Sequence, residues 1–312
     1  MRIFKNAPEA RSPSGRVARV AIAIGLFDGV HLGHQQVLRQ TVADARNHEA
    51  MAIAVTFDRH PAAVLSPQSA PLLIQSDAQR LRTIAALGID AALVLEFDEA
   101  LSRVSAEAFL QQLLEPLGRC VSVCVGARFA FGHGRAGNVA LLNQWGDRMG
   151  FAVHGLANVA LDGEPVSSSR IRQAITSGDL DAADQMLGRA YTLAGTVVAG
   201  DRRGREWGFP TANLDVAGLC LPPSGVYAAH AQVAGRTHRA VVNIGIRPTL
   251  GGIAPTVRVE AHLLDVTGDF YGQEVELSFV KRLRDEARFE NVDALCAQIS
   301  RDVQAARAAF ED

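Results

Sequence analysis

The sequence predicts two domains of different class: an α/β domain built on a parallel sheet, then an antiparallel β-barrel closed by a terminal helix. Three observations carry this. The chain has 312 residues, more than the roughly 100–200 of one domain. Up to Gly188, β-branched runs alternate with helix-length segments, as parallel strands joined by crossover helices do. Beyond it, runs follow closely with Gly and Pro between them, which suits antiparallel strands closing a barrel. The expected division is 1–187 and 188–312.

In the first domain, strands are expected at 19-RVAIAI-24, 51-MAIAVTF-57, 91-AALVLEF-97, 121-VSVCVG-126 and 152-AVHGLA-157. Helices are expected between them at 34–48, 76–88, 105–117 and 138–149. In the last, Val139, Leu142, Trp145 and Met149 recur at helical spacing. This Rossmann-like order places helices on both sheet faces. Two shorter helices follow at 168–176 and 179–187. In the second domain, strands are expected at 192–199, 226–233, 239–244, 256–265 and 274–280. Val292, Leu295, Ile299, Val303, Ala306 and Phe310 then form one apolar helical stripe.

Composition excludes several function classes. Lys and Arg total 31 and Asp and Glu 33, a formal charge of −2. That balance gives no pull toward nucleic acid or an anionic membrane. No apolar run approaches the roughly 20 residues of a membrane span, and the first sixteen residues lack a signal peptide's apolar core. The four cysteines (120, 124, 220 and 296) form no CxxC pair, so neither a disulfide framework nor a structural zinc site is expected. The expected compartment is the cytoplasm. The pattern leaves a homo-oligomer open.

Three segments carry chemistry. The first, 25-GLFDGVHLGH-34, links the first strand to the first helix. In open α/β sheets that position offers helix N–H groups to phosphate, and Gly33 permits close backbone approach. His31 and His34 stand there together. A Gly-rich turn with surface histidines is the plain alternative, and no third metal ligand accompanies them. The second, 166-VSSSRIRQAI-175, opens a helix with three serines, and Arg170 and Arg172 follow. An anion held by serines, N–H groups and an arginine explains basic residues where the helix dipole disfavours them; a capped surface helix is the alternative. The third, 200-GDRRGREWGFPTANLD-215, is Gly-rich without a Walker GK[ST]. If extended, Thr211 and Asn213 present neutral oxygens on one face, ligands that suit Mg²⁺ beside a phosphate. In 256-TVRVEAHLLD-265, Arg258, Glu260 and His262 share the polar face. That face is either solvent-exposed or carries Glu260 into the barrel near Thr211 as a general base.

The first two segments resemble the nucleotidylyltransferase superfamily, and the whole chain from about residue 17 to 310 resembles the prokaryotic bifunctional riboflavin kinase/FMN adenylyltransferase (FAD synthetase) family. The likeness rests on 25-GLFDGVHLGH-34, 55-VTFDRHP-61, 131-FGHGRAGN-138, 167-SSSRIR-172, 187-LGRAY-191, 204-GREWGFPTAN-213, 225-GVYA-228, 243-NIGIRPT-249, 258-RVEAHLLD-265, 271-YG-272 and 283-LRDEARF-289, in family order. It implies phosphorylation of riboflavin to FMN in the second domain. Adenylylation of FMN to FAD, with loss of pyrophosphate, follows in the first. ATP is the co-substrate and Mg²⁺ the cofactor; the partners are small molecules. By resemblance, His31, His34, Ser168 and Arg172 handle ATP, with Gly25, Phe27, Asp28, Gly29, Gly33 and Ser167 around them. In the kinase, Gly204, Arg205 and Gly208 form the phosphate loop, and Thr211 and Asn213 hold Mg²⁺–ATP. Glu260 is the base, and Arg284 and Glu286 close near the flavin.

Departures cluster in the first domain. Leu26 stands for Asn, Arg59 for Pro, Arg128 for Asp, Ala130 for Arg and Asn138 for Asp. They imply altered flavin contacts and keep two alternatives in view: a riboflavin kinase with an impaired or regulatory first domain, and a flavin- or nucleotide-binding regulator without catalysis.

Overall fold

The computed structural model describes residues 1–5, 19–200, 203–247 and 256–311; the side chains of Arg203, Arg205, Ile246, Arg247 and Thr256 are outside the description. The chain forms two compact units, Met1–Arg170 with Met186–Gly188, and Ile171–Gln185 with Arg189–Asp312. Ile171–Gln185 thus group with the second unit and Met186–Gly188 with the first.

The first unit holds a parallel sheet, six-stranded among the described residues: β1 (Arg2–Phe4), β2 (Arg19–Ile24), β3 (Met51–Phe57), β4 (Ala91–Leu95), β5 (Arg119–Gly126) and β6 (Ala152–Leu156), in the order β1-β4-β3-β2-β5-β6. Strand β1 was not expected, because three residues carry no periodicity. Its helices are α1 (Leu32–Asn47), α2 (Ala62–Leu65), α3 (Asp77–Ala86), α4 (Glu99–Ser102), α5 (Ala106–Leu117) and α6 (Val139–Met149). Strand alternation sorts them. Val20, Ile22, Ile24, Ile53 and Val55 pack with Leu110 and Leu114 of α5 and Leu142 of α6. Ala21, Ala23, Ala52 and Ala54 line the other face against Val37, Leu38 and Val42 of α1 and Ile84 of α3. Alanines there let α1 lie close to the sheet. A small hairpin, β7 (Ala160–Leu161) and β8 (Glu164–Pro165), precedes α7 (Ser168–Ser177) and α8 (Leu180–Leu187).

The second unit contains a closed antiparallel barrel, β10-β13-β12-β11-β14-β9. Its strands are β9 (Thr192–Val198), β10 (Ala212–Asp215), β11 (Gly225–Val233), β12 (Arg236–Arg247), β13 (Thr256–Leu263) and β14 (Glu274–Arg284), with α9 (Arg203–Glu206) and α10 (Val292–Ala309). Strand β10 was hidden in the Gly- and Pro-rich loop segment. Small residues fill the lumen: Ala212, Ala261 and Val242 pair across neighbouring strands with Tyr227, and all four are buried. A six-stranded barrel has room for little more. On the opposite face, Val226, Ala228 and Val241 pack under Ala306 of α10, while His230 and Gln232 are exposed. Residues of α7 and α8 join this unit through hydrogen bonds. The Tyr191 N–H donates to Asp184 Oδ1 at 2.6 Å, and Cys220 Sγ donates to the Arg172 carbonyl at 3.7 Å.

Candidate active sites

The first site begins in a strained loop. Between β2 and α1, Phe27, Gly29 and Val30 all have positive φ, +57°, +79° and +39°. For buried, β-branched Val30 that conformation costs roughly 1–3 kcal/mol, so the surroundings must hold it. Asp28 does so from inside, only 2% exposed. Its carboxylate accepts the N–H groups of Ile74 (3.0 Å) and Gln75 (3.4 Å), and its carbonyl accepts Ser168 Oγ at 3.0 Å. At Gly29, beyond the positive φ, a Cβ would stand 2.9 Å from the Ile74 side chain. Phe27 and Asp28, expected beside a nucleotide, are thus turned inward and shape the loop from behind.

The loop delivers His31 as the N-cap of α1, its Nδ1 accepting the His34 N–H at 3.4 Å. That bond leaves the His31 proton on Nε2. The two imidazoles stack, centroids 3.6 Å apart and planes 19° from parallel. Gly33 makes the stack possible, since a Cβ there would lie 3.2 Å from the His31 ring; Gly25 similarly leaves space for the Phe27 ring. His34 is held well below the usual histidine range, first by burial, then by His31, then by Arg80. It is neutral at physiological pH. Among the described residues no group of three or more His, Cys, Asp or Glu could hold a metal.

At the start of α7 the hydroxyls have local tasks. Ser167 Oγ accepts the Arg170 N–H at 3.3 Å, and Ser168 Oγ braces Asp28. The Arg170 side chain donates to the carbonyls of Glu164 and Pro165, tying α7 to the hairpin; Arg170 is therefore committed to backbone. Arg172 follows one turn on, in the stretch that groups with the second unit.

A cavity of about 520 Å³ in the first unit was not foreseen. Phe57, Phe97, Phe129 and Phe131 line it, with Pro61 and Ala130. Phe57 meets Phe97 edge-on at 5.5 Å, and Phe129 stacks on Phe131 at 5.3 Å. The only sequence signal was a phenylalanine just past several strand ends. Four of the five departures find a place around this unit. Ala130 leaves room that an arginine would fill. Arg128 is exposed on the turn after β5, and Arg59 pairs with Asp58 at 2.7 Å. Asn138 caps α6, accepting the Leu141 N–H at 3.0 Å, a task Asn and Asp perform equally.

The barrel site is a row across strands. Register pairs Asn213 with Glu260, Glu260 with Asn243, Asn243 with Val226, and Val226 with Arg284. All five line one cavity of about 290 Å³, with Thr211 at its mouth and Leu295 and Ile299 of α10 opposite. Glu260 does lie near Thr211, but on the outer wall beneath α10. The alternation alone pointed it into the lumen, which small apolar residues already fill. Arg284 donates Nε and Nη2 to Asp302, at 2.8 and 2.7 Å. Glu286 stands against Gly245, where a Cβ would meet its Oε1. Gly200 and Gly204 let the loop backbone close over Asn213 and the Phe209 carbonyl, and Gly208 turns it at φ +83°. Arg205 lies on α9, its side chain outside the description. A second cavity of about 330 Å³, lined by Asp269 and Phe270, shares Pro210, Thr211 and Tyr271 with the first. Sequence reasoning missed Asn243, Asp302 and this second cavity.

A parallel sheet with a histidine-capped helix start, followed by a barrel with a carboxylate facing one of two neighbouring cavities, defines a two-domain transferase of phosphorylated groups. Comparison with known proteins specifies it. Residues 15–170 match the FAD synthetase family model and residues 187–310 the riboflavin kinase model. A bifunctional riboflavin kinase/FMN adenylyltransferase of Escherichia coli (strain K12) is 36% identical over 93% of this chain and 92% of its own. That of Bacillus subtilis (strain 168) is 35% identical over 93% and 92%. A crystal structure described as a macrolide-efflux protein from Streptococcus pneumoniae aligns over 98% of both chains, with TM-score 0.81 and 28% identity. Among the described residues no helix here is long and apolar enough to cross a membrane. The chain belongs to the bifunctional riboflavin kinase/FMN adenylyltransferase family, and both of its enzymatic halves are present.

Proposed function

We propose that the barrel phosphorylates riboflavin and the sheet unit adenylylates the resulting FMN, with the residues assigned above. The observation that carries the kinase assignment is Thr211, which lines both barrel cavities while Glu260 faces the one walled by Val226 and Val241. The flavin fits between Val226, Val241, Leu295 and Ile299, its ribityl hydroxyl toward Glu260. ATP fits the second cavity, its phosphates at the glycine loop. Glu260 accepts the hydroxyl proton as the oxygen attacks the γ-phosphorus and ADP leaves. Neutral oxygens on Thr211 and Asn213, without a cage of acids, suit Mg²⁺ completed by phosphate and water. When bound, that ion neutralises phosphate charge.

In the sheet unit, the attacking FMN phosphate is already largely ionised near neutral pH, so the step calls for charge stabilisation and alignment. His31 Nε2–H is the donor aimed by the N-cap bond. The helix start and Ser168 complete the anion site, Arg172 is assigned to ATP by the family resemblance, and pyrophosphate leaves as the FMN oxygen attacks the α-phosphorus. The phenylalanine-lined cavity takes the flavin ring by stacking. Free thiols and the ATP requirement suit the cytoplasm, and a net charge of −2 gives no reason to add a nucleic-acid partner. Incubation with riboflavin, ATP and Mg²⁺, followed by separation of the products, tests the reading: FMN accumulates first and FAD follows. FMN without FAD, even with FMN supplied in excess, would reduce the chain to a kinase.

A further inference from the structure

Among the described residues, Arg80 of α3 is the largest side chain buried to within 2% of complete exclusion from solvent. Burying a guanidinium is expensive unless it is employed, and this one is employed mainly on backbone through its two terminal nitrogens, while Nε has no hydrogen-bond partner. Nη1 donates to the Leu26 carbonyl at 3.0 Å, and Nη2 donates to the Phe57 carbonyl at 2.6 Å and to Asp77 at 2.9 Å. Leu26 belongs to the strained loop that delivers His31, and its carbonyl also accepts Thr56 Oγ1 at 3.0 Å. Phe57 lines the phenylalanine cavity. One planar fork therefore grips the ends of two adjacent strands, one leading to the histidine pair and the other to the aromatic cavity.

We infer that Arg80 is a positioning residue for adenylyl transfer, a clamp that fixes the distance and angle between the nucleotide subsite at His31 and His34 and the flavin subsite at Phe57. The inference rests on the adenylyltransferase reading and extends it: reaction between two bound substrates depends on their mutual alignment, and a misplacement near 1 Å can cost about 10²-fold. Lysine cannot replace the fork. It keeps the charge but offers one compact ammonium where two carbonyls need separately directed donors.

Arg80 also has an electrostatic signature. The groups acting on it are Asp77, Asp28 and Asp58, and those acting on His34 are His31 and Arg80. Removing the cation moves the His34 pKa upward, whereas lysine preserves it.

The test uses the full chain and supplied FMN, ATP and Mg²⁺. Wild-type FAD formation comes first, and its absence would sink the adenylyltransferase reading itself. Given that activity, Arg80→Lys is expected to lower kcat for FAD by about 10²-fold, with KM for ATP and for FMN within about threefold and riboflavin phosphorylation unchanged. Arg80→Met shows the same loss and in addition moves the acid limb of the kcat/KM profile to higher pH, which Arg80→Lys does not. If Arg80→Lys melts too low to assay, Asp77→Asn, at a half-exposed site, weakens one contact of Nη2 by removing the carboxylate charge. It lowers kcat several-fold with both KM values held. Wild-type kcat in Arg80→Lys, or in Asp77→Asn where that variant is needed, overturns the inference. So does a loss confined to KM.

Discussion

In the proposed mechanism the two sites differ in what they give a nucleophile. The barrel presents a carboxylate, Glu260, in a row of pocket-facing side chains on adjacent strands. The sheet unit presents a stacked histidine pair at a strained helix start, with Asp28 turned inward as a brace. The difference follows from the chemistry. A ribityl hydroxyl holds its proton at neutral pH and needs a base, while a phosphate monoester arrives ionised and needs alignment and charge stabilisation. On that proposal one fold supplies a base from a strand, and the other supplies donors from a helix cap.

The strongest way to break this comparison is Glu260→Gln. Loss of a positioned base costs about 10²–10⁴-fold, so FMN formation from riboflavin collapses while adenylylation of supplied FMN continues at the wild-type rate. Parallel assays with each flavin decide it, and a wild-type kinase rate removes the base. The converse is His31→Ala. A donor to developing phosphate charge is worth about 10²–10³-fold, so FAD formation falls by that factor and FMN formation is untouched. Equal losses in both reactions would show that the sites are not independent.

A smaller effect sharpens where one region ends. A fragment beginning at 171 keeps the Asp184 and Arg172 hydrogen bonds to Tyr191 and Cys220; one beginning at 188 does not. The shorter fragment should be less stable by about 2 kcal/mol, measured by urea unfolding, with both phosphorylating riboflavin. Identical midpoints would show that 171–185 adds nothing to the barrel.

The smallest effect is in pH dependence. His34 has a folded pKa below its unfolded value near 6.5. The unfolded chain therefore binds more protons between the two, and stability rises with pH through that window and is level above it. Acidification below about 6.5 should destabilise the sheet unit, and His34→Gln should flatten the slope. A slope unchanged by that substitution would show that His34 is not the titrating group.

Much of this was legible in the sequence because it depends on neighbours along the chain. The five longer sheet strands and seven of the helices appear in their periodicity, and the barrel in its closely spaced strands. His31 and His34 read as a helix start, and Thr211, Asn213 and Glu260 as polar positions at strand spacing. Short elements escaped: β1 is too brief for a pattern, and β10 lies among Gly and Pro. The phenylalanine cavity escaped because Phe57 ends one strand while Phe97 and Phe129 follow two others.

What the sequence alone determined is therefore local: which segments are strands or helices, and which polar residues stand at their ends. Periodicity and capping act over a few residues and leave their mark in a single chain. Tertiary structure alone decided the rest. Barrel closure filled the lumen with small side chains and left Glu260 on the outer wall under α10. Asp28 became a brace when residues 74–75 presented their N–H groups to it. Arg80, an unremarked member of a helix, became a clamp because β2 and β3 end side by side. Each outcome depends on residues far apart in sequence meeting in space, and no local pattern encodes that meeting.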